Sequence, residues 1–328
     1  MQKVLITGGC GFIGSHLAEY YLNKKYKVFV IDNISTGNLD NILSLKNNKD
    51  FKFYKIDISK KFNLDFLNKK VDYVFHLAAL ADIVPSIIYP EKYFNANVVG
   101  TFNLMQKLKN IKLKKIIYSA SSSCYGIPDI YPTDESSIID PRYPYALTKF
   151  QGEEIVKHWS KIYSIPYVSL RFFNVYGPRS RTSGTYGAVF GVFLAQKLAK
   201  KPFTVVGNGK QTRDFTYVSD VIDALDKTTK SKVNNVTLNI GSGNTYSINY
   251  LTKLLDGKRT YIPKRPGEPD CTWADISKAK KVLKWKPKVR LEIGVNKLIE
   301  NINYWNKAPV WDKKSIKKET KNWFKFIK

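Results

Sequence analysis

Along the first half of the chain, short apolar runs alternate with longer stretches of helical pattern. Val4-Leu5-Ile6 leads into Thr7-Gly8-Gly9-Cys10-Gly11-Phe12-Ile13-Gly14, a helical stretch over 15–23, and a second run from Val28 to Ile31 that stops at Asp32. This reads as strand, glycine turn, helix, strand. Residues 51–57 alternate and give a third strand. Residues 72–79 form a near-continuous apolar run, the mark of a parallel strand buried on both faces. A long helical region is predicted over 85–108, a strand over 115–121, and a helix from Tyr145 to about Tyr163. Strands alternating with helices imply an α/β fold, a doubly wound parallel sheet with right-handed crossovers.

Beyond Arg171 the pattern is less regular. Helices are expected over 187–200, 220–229 (with Ser219 as N-cap), 247–255, 276–283 and 291–305, and strands over 203–206, 214–218 and 237–241. The last strand is expected to return to the large sheet. The organisation expected is a large domain over 1–170 with a returning strand near 213–241, and a smaller C-terminal domain mainly over 171–307, interleaved with the first. A basic tail over 308–328 follows. There Ile316, Thr320, Trp323, Phe324 and Ile327 fall on one helical stripe among lysines. Two readings of the tail stay open: a helix folded back on the body, and a basic amphipathic helix giving weak peripheral membrane association.

The 328 residues, 43% of them hydrophobic, suffice for a large buried core. Met1-Gln2-Lys3 runs straight into the first strand, and no apolar run reaches membrane-spanning length. Three scattered cysteines, Cys10, Cys124 and Cys271, read as free thiols of a cytoplasmic protein. The three histidines form no cluster, so no metal site is expected. The net charge of +27 rests mainly on lysines spread along the chain. Specific nucleic-acid readers concentrate arginine and aromatics on one element, so no specific nucleic-acid partner is expected. A positive field would instead draw in anionic substrates.

The glycine turn adds chemistry to this picture. Glycine is needed where the backbone turns tightly and where a helix N-terminus approaches a pyrophosphate. Asp32 follows at the spacing of an acid that grips a ribose diol, and it would repel the 2′-phosphate of NADP, which favours NAD. Gly8, Gly11, Phe12, Ile13 and Gly14 are therefore candidate cofactor contacts. So are Leu77, Ala78 and Ala79, at a strand end small enough to let a cofactor pass. Asp57, followed by Ile58, either touches an adenine or caps a turn. Tyr145 and Lys149 are four apart and share a helix face. A nearby ammonium favours the phenolate, and a tyrosine so tuned can exchange an alcohol proton near neutral pH.

These motifs, over 7–14, 76–79, 119–126 and 145–149, continue through 171–179, 207–215 and Arg265-Pro266-Gly267-Glu268. Together, over about 1–305, they resemble the extended short-chain dehydrogenase/reductase family, most nearly its UDP-glucose and UDP-N-acetylglucosamine 4-epimerases. The resemblance implies a Rossmann sheet as NAD-binding domain and the smaller domain as substrate-binding cap. It implies Tyr145 as acid/base, Lys149 as holder of the nicotinamide ribose, and Ser121 as hydrogen-bond partner of the reacting sugar oxygen. Asp32 and Asn33 would grip the adenosine and Asn97 would support the cofactor. Asn174, Arg213 and Arg265 would face the nucleotide diphosphate, where arginine can fork onto phosphate oxygens. A homodimer through helices near 93–108 and 145–163 is also implied. One departure stands out: Ala81, beside Asp82, occupies the place where several hexose epimerases carry a lysine.

The same resemblance selects a reaction. The family's 4,6-dehydratases place an Asp-Glu pair after the catalytic Ser/Thr, and its UDP-glucuronate decarboxylases usually keep a Glu at the second position. This chain has Ser122 and Ser123. A hydroxyl cannot replace a carboxylate as proton carrier near neutral pH, which disfavours dehydration and, less strongly, decarboxylation. The expectation is an NAD-dependent 4-epimerase of a UDP-sugar, working through a transient 4-keto intermediate. In Cys271-Thr272-Trp273-Ala274-Asp275, Thr272 stands where a bulky tyrosine restricts relatives to plain hexoses. Its small side chain and the serine run imply acceptance of UDP-GlcNAc and UDP-GalNAc, unless Thr272 only packs. The alternatives are a UDP-glucuronate decarboxylase or another sugar-nucleotide oxidoreductase on the same fold and, more remotely, a non-catalytic nucleic-acid binder.

Overall fold

Val4 and Ile6 enter one hydrophobic core and Leu5 enters another, all three fully buried. Successive strand side chains point to opposite faces, so a strand apolar at every position needs cover on both. The computed structural model, which describes residues 1–180 and 186–327, supplies that cover. β1 (Lys3–Thr7), β2 (Lys27–Asp32), β3 (Phe51–Lys55), β4 (Tyr73–His76), β5 (Lys115–Ser121) and β6 (Tyr167–Phe172) form one parallel sheet. Short pairs lie outside it: β7 (Val175–Tyr176) with β10 (Thr216–Tyr217), β8 (Phe203–Val206) with β13 (Arg259–Ile262), and β9 (Thr212–Arg213) with β12 (Tyr246–Ser247). β11 (Val236–Ile240) returns to the large sheet beside β6, parallel, giving the order β11-β6-β5-β4-β1-β2-β3. The fold is thus a seven-stranded Rossmann-like α/β sheet.

α1 (Phe12–Asn23) lies over the face reached by Val4 and Ile6, with Leu17, Ala18 and Tyr21 buried. The region expected as one helix over 85–108 is divided. α2 (Ile83–Ile88) ends at a non-helical Tyr89, and α3 (Pro90–Phe94) starts on the proline. Proline disfavours helical backbone at the residue before it, which accounts for the break. A π-helical turn, Asn95–Val99, then leads into α4 (Gly100–Leu108). α4 and α5 (Pro144–Tyr163) cover the face reached by Leu5.

The second half carries α6 (Val189–Leu198), α7 (Val218–Lys230), α8 (Ile248–Leu254), α9 (Ser277–Leu283) and α10 (Leu291–Glu300), the last followed by a 3-10 turn rather than continuing to 305. α7 packs on α1. Ser219 lies inside α7, and the cap position is Tyr217, because β10 runs directly into the helix. The strand expected over 214–218 is reduced to Thr216–Tyr217, since Asp214 turns inward to accept N–H groups of Ser242, Gly243 and Ala274. The tail forms two helices, α11 (Lys313–Glu319) and α12 (Lys321–Phe326), folded back on the body. Ile316, Thr320 and Trp323 are buried, but Phe324 is exposed, because non-helical backbone at Thr320 interrupts the stripe.

α5 is fixed to the sheet by a buried ion pair. Arg171 on β6 donates from Nε and Nη2 to the two oxygens of Glu153, each at 3.0 Å. Its Nη1 donates to the Tyr125 hydroxyl, which donates to Asn239 on β11. Burial pushes the Glu153 pKa upward, but Arg171 and Lys157 outweigh it and hold the carboxyl below its ordinary value. A depressed carboxyl pKa adds stability above the unfolded pKa, lost as pH falls through the folded value. Glu153→Gln should therefore cost about 3 kcal/mol at pH 7, since it strands a buried guanidinium. The difference from wild type should shrink in urea melts below the carboxyl's ordinary pKa of 4.5.

Candidate functional site

Beyond the carboxyl ends of β1, β2, β4 and β5 lies one continuous cavity of about 600 Å³. Crevices at this end of an open α/β sheet are where such folds take ligands. At one end is the glycine turn. Gly8 has φ +72°, and a side chain there would meet the Ala78 backbone, 2.7 Å away. A side chain on Gly14 would overlap the Gly8 carbonyl. The turn thus brings the N-terminus of α1, with no side-chain cap at Gly11, up to the cavity wall. Amides so presented form an anion seat. Asp32 closes this end, its carboxylate accepting from the Cys10 and Ile34 N–H groups at 2.9 and 2.7 Å. Burial raises its pKa, partly offset by those two bonds. Asn33, Asp57 and Ile58 complete the wall. Asp57 also caps its own turn, accepting from the Ser59 N–H and hydroxyl.

The middle of the cavity is bounded by Leu77, Ala78 and Ala79. Behind them, His76 is fully buried, and its tautomer follows from proton counting. Thr101 Oγ1 donates to the Asn97 carbonyl and so must accept from Nε2–H, leaving Nδ1 to accept from Thr7 Oγ1. Asn97 does not reach the cavity. Its side chain bonds the N–H and C=O of Leu80 and donates to Thr148 Oγ1, tying the loop after β4 to α5. Any support it gives a cofactor therefore passes through Leu80, which does line the cavity.

Tyr145, Lys149 and Ser121 meet at the next stretch of wall. The Tyr145 hydroxyl donates to Ser121 Oγ at 3.3 Å. Lys149, one turn along α5, is 4% exposed, with Nζ 4.4 Å from the centre of the Tyr118 ring. Burial pushes its pKa down to about 7, with Glu153 opposing. The expected lowering of the Tyr145 pKa is not met. Burial raises it, the Ser121 hydrogen bond lowers it, and Asp82 and Cys124 add to the rise. The physical reason is burial of the phenol itself, which disfavours the phenolate more than the Ser121 hydrogen bond favours it.

The far end holds Ser122, Ser123, Asn174, Thr272, Arg213 and Arg265. Thr272 Oγ1 donates to Asn174 Oδ1 at 2.8 Å and accepts the Asp214 N–H, so it packs as well as lining the cavity. Both arginines share one carboxylate. Arg213 Nη2 lies 3.0 Å from Glu268 Oε1, and Arg265 binds both Glu268 oxygens at 2.7 and 2.9 Å. One net positive charge is left at this end by the three groups. All sequence-predicted site residues except Asn97 thus line one cavity. Sequence reading missed Tyr143, Tyr186, Gln211, Glu268 and Trp323, which also line it. Glu268 lies inside a motif already singled out. Trp323 comes from the tail, where the sequence places it on an apolar stripe with nothing to link it to the site.

The chain matches the family described as GDP-mannose 4,6 dehydratase over residues 5–298, a span that stops short of the tail. It is 36% identical, over 90% of its length and 97% of the relative's, to a putative UDP-glucose 4-epimerase of Methanocaldococcus jannaschii. Among solved structures it is similar to UDP-glucuronic acid 4-epimerase of Bacillus cereus, in complex with UDP-glucuronic acid and NAD, at 36% identity and TM-score 0.85 over 92% of this chain and 99% of that one. It is also similar to UDP-N-acetylglucosamine 4-epimerase of Methanobrevibacter ruminantium, in complex with UDP-N-acetylmuramic acid, at 34% identity and TM-score 0.84 over 92% and 99%.

The buried Lys149 makes a prediction about pH. With its folded pKa depressed from 10.5 to about 7, the unfolded chain binds more protons between those values. Stability therefore rises with pH across that window as the penalty for burying the ammonium is lifted. Lys149→Met should raise the Tm of nucleotide-free protein at pH 7 and below, and the gain should fade toward pH 10.5 in thermal melts.

Proposed function

The chain belongs to the GDP-mannose 4,6-dehydratase family of extended short-chain dehydrogenases/reductases, and from that premise we propose that it is an NAD-dependent 4-epimerase of a UDP-sugar. The observation that carries this reading is the meeting of Tyr145, Ser121 and Lys149 on one wall of a cavity that runs from a glycine turn to a pair of arginines. The donor set fits NAD: an uncapped helix N-terminus for the pyrophosphate and a carboxylate at the end of β2 for a ribose diol. A 2′-phosphate would meet Asp32, which argues against NADP.

In this reading Arg213 and Arg265 hold the substrate diphosphate, with Asn174 beside them. Ser121 hydrogen-bonds the sugar's C4 oxygen, and Tyr145 takes the C4 hydroxyl proton and later returns it. Lys149 holds the nicotinamide ribose. NAD, when bound, would supply the hydride acceptor and donor for C4. The tethered 4-keto sugar turns over between the two transfers, and the cavity wall of Ser122, Ser123 and Thr272 offers hydroxyls rather than a carboxyl pair. Dehydration needs such a pair, so the family's description does not extend to this chain's reaction.

For the sugar, we infer acceptance of N-acetylhexosamines, UDP-GlcNAc and UDP-GalNAc, from the small Thr272. The similarity to a UDP-glucuronic acid epimerase favours a uronate as the second reading. A homodimer is supported by exposed Phe102 on α4 and Leu147 and Ile162 on α5. Among the described residues no helix is long and apolar enough to cross a membrane.

Purified protein incubated with UDP-glucose, UDP-GlcNAc and UDP-glucuronate, without added cofactor, should interconvert UDP-GlcNAc and UDP-GalNAc. Turnover of the uronate alone selects the second reading, and carbon dioxide release selects a decarboxylase. Tyr145→Phe should lower kcat by about 10³ while leaving bound NAD in place. Thr272→Tyr should depress UDP-GlcNAc turnover more than UDP-glucose turnover, measured as a ratio of kcat/KM values.

A further inference from the structure

We propose that the C-terminal tail is a working part of the nucleotide site, with Trp323 as the positioning residue for Arg265. This rests on the reading above, in which Arg265 faces the substrate diphosphate. Trp323 is 2% exposed on α12 and lines the same cavity as the arginines. The Arg265 guanidinium carbon lies 5.0 Å from the centre of its indole ring, and 5.6 Å from that of Tyr186. Within the buried site such cation–π contacts are at the strong end of their range.

The hold extends along the loop. The Trp323 indole N–H donates to the Pro266 carbonyl at 2.7 Å. The Tyr143 ring packs 5.1 Å from the indole, and its hydroxyl donates to the Gly267 carbonyl. A second tail residue backs the arrangement: Trp311 lies against Tyr186 at 5.7 Å, and its carbonyl accepts from Gln196 Nε2. Segment 265–268 is thus gripped at two successive carbonyls and through the Arg265 side chain.

The grip has a chemical purpose. Arg265 is tied to Glu268, which also binds Arg213. A carboxylate that competes with an incoming phosphate can pull an unsupported guanidinium away from it. Arginine recognises phosphate through a planar fork, so its plane must be set before the ligand arrives. Aromatic support from the tail sets that plane without adding another acceptor. The tail therefore acts on nucleotide binding rather than on hydride or proton transfer.

The test measures UDP binding by titration calorimetry, with kcat and KM on the turned-over UDP-sugar. Trp323→Ala should weaken UDP and raise KM about tenfold, the equivalent of one moderately strong cation–π contact. Its kcat and NAD content should stay within about twofold of wild type, since the proposed support is uniform in ground and transition states. Trp323→Phe keeps a ring but cannot donate to Pro266, and should fall between. In an Arg265→Ala background either Trp323 change should have little further effect, which a merely structural role would not produce. If Trp323→Ala does not fold, Trp323→Phe and Arg265→Ala complete the same cycle. UDP affinity unchanged in the folded variant, or losses that add fully in the Arg265→Ala background, overturns the inference. A wild-type protein that binds no UDP overturns instead the functional reading on which it rests.

Discussion

The ion pair between Glu153 and Arg171 is the contact on which the site depends. Glu153 is 1% and Arg171 3% exposed, and both lie where an uncompensated charge would be severely disfavoured. They lock α5 to β6, and Thr237 on β11 adds a bond to the same carboxylate. Tyr145 and Lys149 sit on the N-terminal part of α5, so their position relative to Ser121 on β5 is inherited from this lock. The same arginine holds the Tyr125 hydroxyl, just past the serine turn. One buried pair thereby sets the geometry of two elements that must meet at a hydrogen bond.

A second theme is charge held at a cost. Lys149 has its ammonium form disfavoured by burial, and Asp32 has its carboxylate disfavoured in the same way. Arg213 and Arg265 converge on a single glutamate. None of these arrangements is the most stable way to fill a fold of this kind. In the proposed function Asp32 and Lys149 face NAD, and the two arginines face the diphosphate of a second ligand, the UDP-sugar. Preorganised dipoles and charges in a dry cavity act more strongly than the same groups in water.

Much of this was legible in the chain itself. The glycine turn, Asp32, the strand ends and the Tyr145–Lys149 spacing are local features, each set by a few neighbouring residues. The elements that failed to appear as expected did so for non-local or backbone reasons. Pro90 interrupts the long helix, Asp214 leaves its strand for buried N–H partners, and Thr320 divides the tail. Asn97 is a candidate cofactor residue by sequence, but the π-helical turn that carries it packs against α5 and turns its side chain to Leu80 and Thr148.

What the sequence by itself determined is the alternation of strands and helices through the first half and the set of candidate site residues, because periodicity and short spacings are properties of neighbouring residues; β6 and β13 carried no such pattern. Only the tertiary structure decided that Glu268 would be shared by two arginines, that Lys149 would be buried, and that a tryptophan from the tail would lie over Arg265. Those outcomes depend on residues far apart in the chain being brought together and stripped of water. Charge state and side-chain orientation follow from that burial, which no local pattern encodes.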